Sequence, residues 1–265
     1  MTERRTSSGL EQIRILHLYD EYLNIYADRG NIMVLQQRCA WREIACHVTG
    51  LAPGETFTAG DYDLIYVGGG QDRDQRMIAQ RMVDDCGNSI VDSVESGAAL
   101  LAVCGGYQLL GHSYRDTSGE FQPGVGLFDL VTEAGAGRLI GNVEIEVSLP
   151  DIGSAMDAHT VRVAGFENHA GRTSLRDGAE PLGRVVRGNG NDGISGYEGC
   201  RRLRALGTYL HGPLLPRNPE LADWLIAAAL HHAGGNEAAA LINRPVPELV
   251  DSTAVRARTI LASRP

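Results

Sequence analysis

The segment Leu100-Leu101-Ala102-Val103-Cys104-Gly105-Gly106-Tyr107-Gln108-Leu109-Leu110-Gly111 constrains the fold more than any other part of the chain. The apolar run over 98–103 has the length of one strand buried on both faces, and it stops at a cysteine followed by two glycines. A strand that turns sharply at a nucleophilic side chain and enters a helix is the layout of a nucleophile elbow. The glycines permit the turn and let a substrate approach the backbone. The thiol sits at a helix start, where the dipole favours the thiolate, and the Gly105 amide faces any oxyanion formed on an attacked carbonyl. The alternative is a structural cysteine buried beside a packing glycine. Cys39, Cys46, Cys86 and Cys200 lack this context and read as structural. Five cysteines without close pairs make no disulfide framework, and no CxxC or HxxxH spacing offers a metal site.

An elbow of this kind needs an α/β sheet, and the first half of the chain supplies one. Compact β-prone runs over 13–19, 44–48 and 63–67 alternate with helix-spaced apolar residues over 31–41 and 73–87, the first of these after Asn31 as a cap. The second half is strand-rich, with runs over 125–131, 139–147, 161–167, 182–187 and 205–210. This suggests that a mostly parallel sheet continues with an antiparallel part. Asn218 and Pro219 then open a strong helix over 219–232. With 265 residues, 43% hydrophobic, one sizeable core is the simplest account. The expected divisions are a loose polar N-terminus over 1–12, a main domain over 13–235 and a helical extension over 236–265.

Four further features bear on chemistry. In Thr208-Tyr209-Leu210-His211-Gly212-Pro213 a histidine stands at a strand's end, where catalytic groups of parallel sheets gather; there His211 is placed to act as general base and then acid for a cysteine on another strand. In Val67-Gly68-Gly69-Gly70-Gln71-Asp72 three glycines follow a strand, but no Lys-Ser/Thr makes a P-loop, so the loop is better suited to supply a second oxyanion amide. Arg138, read as preceding a strand, is either a fork for a substrate carboxylate or a surface arginine. The stretch 165–173 either lines the pocket or is a hydrogen-bonded turn. His231 and His232 diverge on a helix and read as non-functional.

A net charge of −9 argues against a nucleic-acid binder and against direct attraction to anionic lipid. No apolar run approaches membrane-spanning length and the N-terminus lacks an apolar signal region, so the cytoplasm is the expected compartment.

Taken together and in order, the glycine loop, the elbow, Gly137-Arg138-Leu139-Ile140-Gly141-Asn142, the 165–173 stretch and Gly207-Thr208-Tyr209-Leu210-His211-Gly212-Pro213 resemble the class I glutamine amidotransferases. The branch is the one that holds the cobyric acid synthase glutaminases and the GatD-type glutaminase subunits of lipid II isoglutaminyl synthase. The resemblance spans about residues 13–235. It implies a three-layer, flavodoxin-like α/β fold, a Cys104 nucleophile that forms a thioester with L-glutamine, and His211 as its acid–base partner. It also implies Arg138 on the glutamine α-carboxylate, Gln108 as a further pocket contact, and an oxyanion hole from Gly69, Gly70 and Gly105. The resemblance implies no metal or cofactor in this chain. Ammonia would pass to a MurT-like Mur ligase partner in a heterodimer, which would use ATP and Mg to amidate the D-glutamate of lipid II. Most class I glutaminases carry a glutamate two residues after the histidine; here that position is Pro213, so either a dyad suffices or an acid comes from elsewhere, the partner being the expected donor. A cobyric-acid-type glutaminase ranks lower, because nothing of a synthetase domain precedes residue 13. A non-catalytic scaffold and a cysteine peptidase on the same elbow are the readings from other classes.

Overall fold

The computed structural model of the protein describes residues 11–24 and 29–263. Of the loose N-terminus expected over 1–12, residues 1–10 lie outside the described residues, and Gln12 already belongs to a strand. The first half alternates strand and helix as expected: β1 (Gln12–Leu18), α1 (Arg29–Trp41), β2 (Ala45–Leu51), β3 (Leu64–Val67), α2 (Asp72–Arg81), α3 (Gly87–Glu95), β4 (Ala99–Val103) and α4 (Gly105–Leu109). The single helix expected over 73–87 is interrupted by a π-helical stretch, Met82–Cys86, and helix resumes as far as Glu95.

The second half departs from expectation. It contains β5 (Ser113–Arg115), β6 (Phe121–Pro123), the long β7 (Leu130–Leu149) and β8 (His159–Leu175), then β9 (Gly183–Arg187), β10 (Tyr197–Glu198), β11 (Cys200–Arg202) and β12 (Ala205–Thr208). Strands β5 to β10 do not extend the first sheet. They form a second one, β10-β9-β7-β5-β6, with β8 paired antiparallel along β7. The reason is visible along β7, where buried Val143, Ile145, Val147 and Leu149 alternate with more exposed Glu144, Glu146 and Ser148. A ribbon with one wet face cannot continue a sheet that is covered on both sides.

The first sheet has the order β11-β12-β4-β3-β1-β2, parallel throughout except for β11 at one edge. Every residue of β3, β4 and β12 is buried. Successive side chains point to opposite faces, so both faces must be covered. One cover is α5 (Pro219–Ala239), which buries Leu221, Trp224, Leu225 and Leu230 completely. It outruns the expected 219–232, with non-helical geometry at Gly234 and Gly235. A final helix, α6 (Glu248–Ser263), is tied on by Arg38 of α1, whose buried guanidinium forks onto Asp223 (2.7 and 2.6 Å) and reaches Asp251 (2.6 Å).

Neither expected asparagine cap forms. Asn31 lies inside α1, donating to the Tyr66 hydroxyl (2.9 Å) and accepting from the Leu215 amide (2.8 Å). Asn218 precedes α5, but its side chain spans to both backbone polar groups of Ala164 (2.9 and 2.8 Å). Both amides act as cross-braces between distant segments. No described helix is long and apolar enough to cross a membrane.

Candidate active site

Strands β3 and β4 run in parallel with Val67 beside Ala102, so their carboxyl ends open side by side. β3 leads into Gly68-Gly69-Gly70, and β4 leads into Cys104-Gly105-Gly106. Cys104 has φ +50° and ψ −106°, a left-handed conformation that a residue with a Cβ holds at a cost of about 1–3 kcal/mol. The Cys104 amide donates to the Thr208 carbonyl (2.8 Å), and its carbonyl accepts from the Gln108 amide (3.1 Å). These bonds hold the elbow expected from the sequence.

The two glycines after it are required by close approach. A Cβ on Gly106 would stand 2.6 Å from the Val67 carbonyl oxygen and 2.7 Å from that of Gly68. One on Gly105 would stand 2.8 Å from both the Gly70 nitrogen and the Gln75 Nε2. The buried Gly69–Gly70 segment and Gly105, the expected oxyanion donors, are therefore in contact. The helix after the elbow has only five residues. Few aligned peptides make a weak dipole, so the thiolate stabilisation expected from it is small.

Above Cys104 lies a cavity of about 350 Å³. The parallel sheet contributes Gly70, Asp72, Gln75, Cys104 and Gln108 to its lining, and the ribbon contributes Arg138, Asn168, His169 and Ala170. The 165–173 stretch is thus part of β8 and lines the pocket. Arg138 does not precede a strand. It sits within β7, at the irregularity between Ala134 and Leu139, one residue after left-handed Gly137 (φ +75°). Its Nε donates to Asn168 Oδ1 and its Nη2 to the Asn168 carbonyl, both at 2.6 Å. This aims a braced guanidinium at the cavity, in the geometry that suits a carboxylate.

His211 is not among the side chains that wall the cavity. β12 ends at Thr208, earlier than the expected 210, and the chain then pairs with β8: the His211 and Phe166 amides donate to each other's carbonyls at 3.0 Å. The buried imidazole stands edge-on to the Phe166 ring, 6.2 Å between centroids. Burial, and then the fields of His169 and Arg138, push its pKa down to about 4. The imidazole is neutral at pH 7, the form a general base needs.

The structure also brings in groups that sequence reasoning did not single out. Gln108 Nε2 donates to the Tyr209 hydroxyl (3.2 Å), which is 2.6 Å from Thr173 Oγ1, itself 2.7 Å from Thr132 Oγ1. The Tyr209 ring lies flat on His169, with centroids 3.6 Å apart and 4° between planes. His169 donates Nδ1–H to the Gly171 carbonyl (2.8 Å) and turns Nε2 towards Glu167, 3.7 Å away. Burial alone would raise the Glu167 pKa. The His169 side chain and donors from Asn189 and Gly190 outweigh this and hold the carboxyl below the usual range. Glu198 shows the opposite balance: burial pushes it up to about 8 although it accepts from the Tyr209 amide (2.6 Å). A polar residue on a buried strand breaks an apolar run without showing what it bonds, so only the motif around His211 hinted at Tyr209.

Residues 14–219 match the model of the CobB/CobQ-like glutamine amidotransferase domain. The chain belongs to that family. Among its relatives are the lipid II isoglutaminyl synthase (glutamine-hydrolyzing) subunits GatD of Staphylococcus aureus and Streptococcus pneumoniae. Each is 36% identical to this amidotransferase over 85% of its length, and the match covers 87% and 84% of those proteins. A cobyric acid synthase of Brucella abortus is 33% identical over 64% of the chain, but the match covers only 33% of that protein. The structure of PurLQS from Thermotoga maritima superposes with a TM-score of 0.50 at 15% identity, over 85% of this chain and 98% of that one, which shows a shared fold. The class I amidotransferase architecture expected from the sequence is the one observed.

Proposed function

We propose that this amidotransferase is the glutaminase subunit of a lipid II isoglutaminyl synthase. The observation that carries the reading is the strained Cys104 elbow in the floor of a polar cavity whose rim holds a braced arginine. Cys104 Sγ attacks the glutamine amide carbon while His211 takes the thiol proton. The oxyanion forms against the amides of Gly105 and the Gly69–Gly70 segment. Collapse breaks the C–N bond, and His211 returns the proton to the leaving nitrogen as ammonia. Water then hydrolyses the thioester to glutamate, its proton passing through His211 to the thiolate. Arg138 binds the substrate α-carboxylate and Gln108 makes a further contact.

The relatives' identity over nearly the whole chain supports the acceptor: a MurT-like Mur ligase partner takes the ammonia and, with its own ATP and Mg, amidates the D-glutamate of the lipid II stem peptide in the cytoplasm. This chain then needs no cofactor of its own. With Pro213 two residues after His211, the partner also lends the acid that orients the imidazole.

The test is ammonia release from L-glutamine by the purified chain, alone and with a co-expressed ligase, for wild type and Cys104→Ala. Release should need Cys104 and rise with the ligase, while the variant keeps its thermal midpoint. Full release by the isolated chain would overturn the lent acid. Equal release by Cys104→Ala would overturn the glutaminase itself.

A further inference from the structure

Gln75 belongs to the first turn of α2, immediately after the glycine loop, and is 2% exposed. Its Nε2 donates to the Gly70 carbonyl at 3.0 Å. Turning the amide over would set two oxygens face to face, so this orientation is fixed by its partner. Its Oε1 is then buried with no hydrogen-bond partner among the described residues. A buried, unsatisfied acceptor is destabilising; an apolar side chain of the same length would remove it but take the Gln75 donor from the buried Gly70 carbonyl, so the two penalties roughly cancel and stability does not favour glutamine. Packing therefore does not account for a glutamine here.

Its position suggests what does. The carboxamide lies directly over the elbow: the point where Gly105 would carry a Cβ is 2.8 Å from Gln75 Nε2, 3.0 Å from its Cδ and 2.8 Å from the Gly70 nitrogen. Gly70 is also closed in by Leu23, whose Cδ2 would be 2.6 Å from a Cβ on Gly70. Gly70 is thus packed by both Leu23 and Gln75, and of these two side chains Gln75 is the one that bonds to its carbonyl directionally.

We infer that Gln75 is a positioning residue of the oxyanion hole: by holding the Gly70 carbonyl it fixes the tilt of the glycine loop, so that the loop's N–H groups and that of Gly105 converge on one point above Cys104. The inference rests on the glutaminase reading. Gln75 acts through the loop, so its effect belongs to the transition state, where charge develops on the oxygen, and not to ground-state binding.

The experiment compares wild type, Gln75→Met and Gln75→Glu as full-length chains with the co-purified ligase. Methionine keeps the length and removes both the donor and the orphan acceptor. Glutamate keeps the shape, but its carboxylate repels the Gly70 carbonyl. For Gln75→Met, kcat for ammonia release should fall about ten- to a hundredfold with KM within about threefold, and the thermal midpoint should change little, because the orphan acceptor removed offsets the Gly70 carbonyl left without the Gln75 donor. Gln75→Glu should lose more kcat. A readout without turnover is alkylation of Cys104, in which Sγ displaces chloride from a glutamine-derived chloroketone and the thiol proton leaves to base. The saturated chloroketone rate should fall in both variants, while the rate with iodoacetamide, which needs only the thiol, stays within about twofold. Unchanged kcat and chloroketone rate would overturn the inference. So would a rise in KM alone, which would make Gln75 a substrate contact, or parallel losses in midpoint and both alkylation rates, which would make it scaffold. A wild type that releases no ammonia and shows no preference for the chloroketone would instead overturn the glutaminase reading.

Discussion

The floor of the cavity comes from the parallel sheet, and its rim comes from the antiparallel ribbon. The floor is dense: β3, β4 and β12 are buried throughout, and the two loops that leave β3 and β4 touch so closely that one added carbon at Gly105 or Gly106 would collide with backbone. The rim is looser. Arg138 is exposed, stands at an irregularity of β7, and is held by two hydrogen bonds to one residue of β8. The difference teaches a division of labour. Groups that must meet a reacting atom within a few tenths of an ångström sit on a rigid sheet, while a group that grips a flexible substrate's far end sits on a ribbon with play in it.

That division can be tested by asking which kinetic constant each part controls. After loss of the Cys104 nucleophile itself, the largest effect should come from His211→Ala, which removes the proton carrier: kcat for ammonia release should fall roughly a thousandfold with KM little changed. The same variant has a signature in stability. The folded imidazole titrates at about 4, and its unfolded counterpart near 6.5. Over that window the unfolded chain takes up the proton first, so this contribution is complete above about pH 6.5 and lost as the pH falls towards 4. Thermal midpoints measured from pH 7 to pH 4.5 should fall less steeply in His211→Ala than in wild type, and equal slopes would contradict the buried neutral imidazole.

Arg138→Ala should follow, and in the other constant. Losing a charge-assisted fork should raise KM for glutamine about ten- to a hundredfold and leave kcat within about threefold. A fall in kcat of the same size as the rise in KM would break the division, because the rim would then share in the chemistry. The smallest effect should come from Tyr209→Phe. This residue belongs to the chain leaving β12 and joins floor to rim: its hydroxyl sets the Gln108 amide of the floor and its ring backs His169 of the rim. Without the hydroxyl, KM should rise about three- to tenfold and stability fall by about 1 kcal/mol, measured by steady-state kinetics and denaturant titration.

The same contrast explains what could be read from the sequence. The runs over 64–67, 98–103 and 205–207 carry no charged residue, and such runs, broken by Gly-Gly or followed shortly by His, announce a parallel sheet and its active end. The ribbon announces little. Gly135, Gly137 and Gly141 break the alternation of β7, and the charged residues of its wet face look like loop. It therefore reads as separate strands of one continuing sheet. Asn31 reads as a cap but lies inside α1, and Asn218 stands at the cap position of α5; both side chains bond across the fold, which local sequence does not encode. Gln75 is the hardest to read, because a glutamine in a first helical turn looks like surface until the glycine loop is seen folded over it.

The fit between the two glycine loops has a consequence for redesign. Between the two glycine loops the protein keeps less free volume than one methyl group, so neither loop can be altered by itself and the pair must be transplanted as a unit. Novel specificity has to be written into the exposed part of β7 around Arg138, where a longer or shorter side chain meets solvent instead of a neighbouring peptide. The geometry thus separates the letters that can be edited from those that can only be copied.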